Sequence, residues 1–294
     1  MKVIIFIVIK IMTSIRYLLF ECKNNVIISI RKRGKSMKQV LIIPDVNNIE
    51  ETLKLATQYN LGFEYNDFFL PDILDDKDKL ESVCANYKQY DLPNYCTMHG
   101  AFFDVIPFSP DKRIREISLL RINQSLDVAR KLGVNGVVFH TNYNPFLNSK
   151  AYVEGFIKQN IRLWNDILQQ NQDINIYLEN MFDTTPDIME AMAEGLSSNN
   201  NFGICLDYAH AALSKVDPEK WARALGTYIK HVHINDNDLI SDLHLAWGDG
   251  VINRGVFYEA YHKYMSQATV LIETSAHENK VKSLEVLARE GFLE

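Results

Sequence analysis

Residues 202–210 read Phe-Gly-Ile-Cys-Leu-Asp-Tyr-Ala-His, an apolar run that ends in Asp207, with His210 three residues further on. A short apolar run of this kind is typical of a strand that is buried on both faces, as in a parallel sheet. An amphipathic segment that follows Asp217-Pro218 is typical of a helix. The stretch therefore predicts one strand–helix unit, with acidic and imidazole side chains where the strand ends.

The same unit recurs on both sides of this stretch. Eight strands are predicted, each followed by a helical pattern: Val40–Ile43, Gly62–Tyr65, Tyr95–His99, Gly136–His140, Asn175–Glu179, Phe202–Asp207, Ile229–Asn235 and Val270–Glu273. Eight units in roughly 250 residues fit an α/β fold, the (β/α)8 TIM barrel. An open doubly wound sheet is the alternative, but it favours a glycine-rich turn after the first strand, and Pro44–Asn47 is not one.

Composition narrows the class of protein. The chain has 294 residues, of which 47% are hydrophobic and 23% charged, so it can bury a large core. Its net charge of −6 disfavours a basic nucleic-acid-binding surface. Four scattered cysteines form no CxxC pair and are interpreted as reduced thiols, which predicts a cytoplasmic protein.

The first 36 residues differ from the rest. Their apolar run, Val3–Ile9, is broken by Lys10 and is too short for a membrane span, although a membrane anchor stays an alternative. No small-residue cleavage site of a secretory signal follows it. We predict that residues 1–36 are an extension outside the fold and that residues 37–294 form one barrel domain.

Metal-ligand residue types stand at the ends of the predicted strands and in the loops that follow. They are His99, His140, Glu179, Asp207, His233 and Glu273, together with His210, Asp242 and His244 in the loops. The carboxyl ends of barrel strands meet at one mouth, so these side chains are expected to converge there. One such residue alone is more often structural. Many buried charges around one mouth are costly unless they share a cation, so we predict a divalent metal centre.

These motifs resemble the xylose-isomerase-like barrel superfamily, which contains sugar isomerases and epimerases and also endonuclease IV. The resemblance covers residues 37–294. Its motifs are Met98–Phe102, Val138–His140, Leu178–Asn180, Leu206–His210, His231–Asn237, Asp242–His244 and Ile272–Thr274.

The epimerase branch implies one divalent ion (manganese, zinc, magnesium or cobalt) held by Glu179, Asp207, His233 and Glu273. The two glutamates would also move a proton next to a carbonyl, through a metal-stabilised enediolate, on a sugar or sugar phosphate. His210 would contact a substrate oxygen. Two further residues are predicted substrate contacts from their type: Trp247 could stack on a sugar or fill its loop, and Arg254 could reach a phosphate.

The endonuclease branch implies three zinc ions. The matching ligands are His99, His140 and Glu179 for one ion; Glu179, Asp207, His233 and Glu273 for the next; and His210, Asp242 and His244 for the third. The chain departs from the nuclease pattern, because Thr141-Asn142 replaces Pro-Gly and Leu243 replaces Arg. We therefore expect an isomerase or epimerase with a small-molecule substrate. An abasic-site endonuclease is the first alternative, and a non-catalytic metal-binding barrel is the second. A homo-oligomer is compatible with the sequence.

Overall fold

The computed structural model describes residues 39–214 and 216–293, and these form a closed barrel of eight parallel strands in chain order. The strands are Val40–Ile42 (β1), Gly62–Tyr65 (β2), Cys96–His99 (β3), Gly136–His140 (β4), Asn175–Glu179 (β5), Phe202–Asp207 (β6), Ile229–Ile234 (β7) and Thr269–Ile272 (β8). β8 pairs with β1, with Val40 opposite Val270, and this pairing closes the barrel. The predicted (β/α)8 fold is confirmed.

Ten α-helices lie in the described ranges. They are Ile49–Tyr59 (α1), Pro71–Leu74 (α2), Lys77–Tyr87 (α3), Lys112–Leu132 (α4), Lys150–Gln170 (α5), Asp187–Leu196 (α6), Tyr208–Leu213 (α7), Pro218–Leu225 (α8), Arg254–Tyr264 (α9) and His277–Arg289 (α10). The two shortest, α2 and α7, were not predicted, because four to six residues carry too little helical periodicity to be recognised.

Local capping explains why the longer helices begin and end where they do. The Asp111 side chain accepts a hydrogen bond from the Arg113 amide at 2.8 Å at the start of α4. Gly133 ends the helix with φ at 72°, a left-handed conformation that glycine adopts without strain. Asp217 caps α8 in the same way, by accepting from the Glu219 amide at 3.0 Å. Both Gly133 and Asp217 are at the positions predicted from the sequence.

The barrel interior positions the site. Successive strand residues face opposite sides of the sheet, so inward-facing positions recur every second residue. Small apolar clusters fill the interior lower down, among them Val138, Tyr177 and Cys205. Two residues further along each of these strands come His140, Glu179 and Asp207. The strand register therefore stacks an apolar layer beneath a polar layer at the carboxyl end.

Three cysteines, Cys84, Cys96 and Cys205, are buried free thiols. None of the helices in the described part of the chain combines the length and apolarity needed to span a bilayer. The predicted extension, residues 1–36, lies outside the described residues.

Candidate metal centre

Glu179, Asp207 and His233 bring their ligand atoms to within 4.8 Å of one another at the ends of β5, β6 and β7. His233 Nδ1 lies 3.5 Å from Glu179 Oε1 and 3.5 Å from Glu273 Oε2, so two carboxylates flank one ring nitrogen. All four side chains are buried. Residues far apart in sequence thus form one cluster, which we call the central group: Glu179, Asp207, His233 and Glu273.

Several polar atoms of the central group lack a hydrogen bond among the described residues. They are both Glu179 oxygens, Asp207 Oδ2 and both His233 ring nitrogens. A buried polar atom without a partner costs about 1–3 kcal/mol, and a buried charge costs more. Oxygen and imidazole nitrogen are ligands of divalent cations, and one cation would satisfy the Glu179 and Asp207 oxygens together with His233 Nδ1, the ring nitrogen that faces Glu179 and Glu273. The donor set therefore fits a divalent metal.

Asp207 shows how local structure produces a ligand. It ends β6 and caps α7, with Oδ1 accepting a hydrogen bond from the His210 amide at 2.6 Å. Asn180 binds the Asp207 backbone, donating to its carbonyl and accepting from its amide at 2.9 Å each. The cap and the contacts with Asn180 fix the carboxylate and leave Oδ2 without a hydrogen bond among the described residues, so that it is available to a cation.

Two further groups adjoin the central group. His99 Nε2 and His140 Nε2 lie 3.6 and 3.4 Å from Glu179 Oε2. His210 Nε2 and His244 Nε2 lie 3.3 and 3.1 Å from Asp242 Oδ2. Within each of these groups the ligand atoms lie within 4.8 Å of one another: His99, His140 and Glu179 in the first, and His210, Asp242 and His244 in the second. The structure therefore brings all nine predicted ligand residues together.

Glu64 on β2 contacts the central group from below, although it is not among the predicted site residues. Its Oε2 accepts hydrogen bonds from Thr97 Oγ1 at 2.6 Å and from His231 Nε2 at 2.9 Å. Its Oε1 lies 3.2 Å from His233 Nε2, the ring nitrogen that faces away from Glu179. A carboxylate in this position orients an imidazole ligand and raises its basicity. The available signal was a carboxylate inside the apolar strand Gly62–Tyr65.

His231 lies beside the central group, and its ligand atom approaches those of Cys205 and His233 to within 4.8 Å. Its Nδ1 contacts Thr269 Oγ1 at 2.5 Å and its Nε2 contacts Glu64, so both ring nitrogens are engaged.

Burial and charge move the carboxyl pKa values in opposite directions. Burial alone would raise the pKa of Glu179, but the imidazoles of His233 and His140 outweigh it and hold this pKa well below its usual range. For Asp207, burial dominates over the nearby His210 and raises the pKa to about 8. Burial also opposes ionisation of Glu273, yet His233 lowers its pKa to about 2. Neighbouring acids with separated pKa values are typical of functional sites.

Comparison with known sequences identifies the family. The sequence profile of the family described as xylose isomerase-like TIM barrel matches residues 56–291. The chain belongs to the xylose isomerase-like TIM barrel family. This confirms the resemblance found in the motifs.

The chain is similar to an uncharacterised protein in sequence and to an epimerase-like protein and an endonuclease in structure. The uncharacterised protein MJ1311 of Methanocaldococcus jannaschii is 30% identical over 201 residues, which are 65% of this chain and 68% of that protein. A D-tagatose 3-epimerase-like protein has a TM-score of 0.68 at 24% identity over 86% of this chain and 96% of its own. Endonuclease IV from Thermus thermophilus has a TM-score of 0.57 at 17% identity over 85% of this chain and 97% of its own. At these identities the two solved structures show a shared fold alone.

Two predicted substrate contacts of this xylose isomerase-like barrel lie away from the three groups. Trp247 is fully buried, packs edge-on against Phe257 and donates its indole N–H to Tyr258 at 3.1 Å. The Arg254 guanidinium pairs with Glu290 at 2.8 Å. Trp247 fills its loop, and Arg254 is already neutralised, so the proposed site omits both.

Proposed function

We propose that the chain is a divalent-metal-dependent isomerase or epimerase of a small sugar or sugar phosphate. One observation carries this proposal: Glu179 and Glu273 flank His233 Nδ1 at 3.5 Å each, with Asp207 beside them and ligand atoms left without hydrogen bonds. The catalytic residues are Glu179 and Glu273, and the ligands are the central group.

The proposed reaction assigns separate tasks to these side chains. A proton next to a carbonyl is weakly acidic, and a divalent cation supplies stabilisation of the negative charge that develops on the substrate oxygens. One of the two flanking glutamates removes the proton and the other returns it. His210, on the first turn of α7 and directed towards Asp242, orients a substrate hydroxyl.

The test measures proton transfer directly. The full chain is loaded with manganese and incubated with a panel of ketoses in deuterated water, and deuterium at the carbon next to the carbonyl is followed by NMR. Incorporation that depends on Glu179 supports the proposal. Absence of exchange with every ketose at full metal loading contradicts it.

A second candidate function is a trinuclear zinc phosphodiesterase like endonuclease IV. The observation that favours it is the set of three adjoining groups, each with its ligand atoms within 4.8 Å. The net charge of −6 argues against it, because DNA affinity depends on Lys and Arg at the phosphates. Three tightly held zinc ions per chain and cleavage of an abasic-site duplex would establish this function instead.

The proposal also concerns the non-catalytic alternative, the cellular compartment and the binding partner. A non-catalytic metal-binding barrel would bind the ion without turnover in either assay. The three buried free thiols fit a reducing compartment, so we place the enzyme in the cytoplasm. Its partner is a small molecule.

A further inference from the structure

A cleft of about 840 Å³ opens beside the metal centre. Its walls come from the loops after β3, β4 and β5, and His210 and Asp242 line one end. A cleft of this size accommodates most of a drug-sized molecule. A molecule whose head lies at His210 therefore has space to extend into this cleft.

Aromatic side chains form the outer wall of the cleft. Phe103, Phe146 and Phe182 lie on three successive loops and are 59%, 91% and 58% exposed. Phe102 lies beneath them, with its ring centroid 4.1 Å from that of Phe103 and 4.6 Å from that of His140. Large exposed apolar side chains gathered around one concavity mark a binding site. Their flat faces suit a flat apolar group.

The charges of the cleft limit what can bind there. Among the described residues that line it, the charged groups are Asp104, Asp183 and Asp242, with His210 as the imidazole and no lysine or arginine. A phosphate against this wall would have no cationic side chain as partner. A group with hydroxyls on every carbon would lose hydrogen bonds to water without replacing them. The cleft therefore disfavours an anionic group and favours an apolar one.

Asp183 adds a buried acceptor to this cleft. Its Oδ2 accepts hydrogen bonds from Thr141 Oγ1 at 2.7 Å and from the Met181 amide at 3.2 Å. Its Oδ1 is buried without a hydrogen-bond partner among the described residues. It can accept a hydrogen bond from a hydroxyl at the junction between the polar head and the apolar group.

We propose that the substrate is an amphiphile, with a hydroxylated carbonyl head at the metal centre and a flat apolar group without negative charge between Phe103, Phe146 and Phe182. The head-group half of this statement rests on the proposed function. The apolar half, which places a flat apolar group between the three phenylalanines, rests on the cleft alone. An experiment can therefore refute one half and leave the other standing.

The test of the apolar half uses two fluorescent probes on the full chain. N-phenylnaphthylamine is neutral, and anilinonaphthalene sulfonate has the same ring systems with a negative charge. We expect the neutral probe to bind more tightly. The double variant Phe146→Ser/Phe182→Ser should weaken its binding at least about tenfold, from about 1.5 kcal/mol of lost apolar burial. Leu120→Ser, an apolar-to-polar change at an exposed position of α4, should leave binding unchanged.

Three results would overturn the apolar half. They are tighter binding of the sulfonate, unchanged binding in the double variant, and a wild-type dimer in sedimentation that the double variant dissociates, which would assign the wall to a second copy of the chain.

The head-group half is tested by hydrogen exchange of a phenyl-substituted hydroxyketone against its unsubstituted analogue. We expect faster exchange of the phenyl compound and loss of that advantage in the double variant; equal rates in the wild type would overturn the inference. Glu179→Gln should stop exchange yet leave probe binding intact, so failure of the proposed function is distinguishable from failure of the cleft.

Discussion

Replacement of Glu64 by glutamine tests whether a carboxylate beneath the central group affects metal affinity. Glu64 has no exposed surface and contacts Thr97, His231 and His233 through its two oxygens. Glutamine keeps the shape but replaces one acceptor oxygen by an NH2 donor. In the variant, the NH2 group would face an imidazole nitrogen that donates to Glu64 in the wild type, or it would have no acceptor.

The structure sets the expected magnitude. Loss of a carboxylate that orients a histidine ligand lowers metal affinity by about 10–100-fold, or about 1.4–2.7 kcal/mol. A buried donor left without an acceptor costs about 1–3 kcal/mol of unfolding free energy in the metal-free protein. Burial opposes ionisation of Glu64, but His233 and His231 outweigh it and hold its pKa well below the usual range, so the carboxylate is charged at neutral pH.

The assay compares zinc affinity, by competition with a chromophoric chelator, and urea unfolding in excess chelator. Glu290→Gln is the matched control, because Glu290 lies at the surface and pairs with Arg254 away from the metal centre. We expect the control to keep its zinc affinity and to lose at most about 1 kcal/mol of unfolding free energy. Zinc affinity of Glu64→Gln within twofold of the wild type would refute the role assigned to this carboxylate.

Three further predictions concern the site. Glu179→Gln removes a ligand and a proton-transfer group, so deuterium exchange should fall to background in manganese-loaded protein, and wild-type exchange would contradict the assignment. Asp242→Asn should leave the ion of the central group and most of the exchange activity in place; loss of one of three zinc ions per chain, by metal analysis, would favour the nuclease. Burial raises the pKa of Asp183 from 3.8 to about 6, so the folded protein holds that proton more tightly, and stability declines as pH rises between these values. The unfolding free energy of Asp183→Asn, relative to that of the wild type, should therefore increase by up to about 3 kcal/mol between pH 4 and pH 7 in urea titrations. A difference that does not change with pH would contradict the raised pKa of Asp183.

The fold could be predicted because each strand carries its own signal. Gly136–His140, Asn175–Glu179 and Phe202–Asp207 have the predicted bounds, since each is an apolar run with polar residues on both sides. The helix Tyr208–Leu213 was not predicted, because its six residues follow Asp207 directly and have no period of their own. Its existence depends on the Asp207 cap, an interaction that residue patterns alone do not distinguish from a loop.

The ligand residues of the candidate site were predictable where they end a strand or, as with His210, Asp242 and His244, follow one closely. His99, His140 and Glu179 could be found in this way, because parallel strands end at one mouth. Trp247 and Arg254 were chosen by residue type, and their partners, Tyr258 and Glu290, lie 11 and 36 residues further along the chain, beyond the range of local sequence patterns. Glu64 could not be found in this way, because it lies inside a strand and its contact with His231 joins residues that are 167 positions apart in the sequence.

That long-range contact connects the stability of the fold to the chemistry of the site. His231 and His233 share one face of β7, so Glu64 holds both rings from the opposite side of the closed barrel. His233 Nδ1 can then lie between Glu179 and Glu273 only when β2, β5, β7 and β8 are all in register. Without a cation, the central group contains ionised carboxylates beside Asp207, whose pKa burial raises to about 8. A cation bound there would displace that proton and satisfy the remaining oxygens, so we expect metal binding to stabilise the folded barrel.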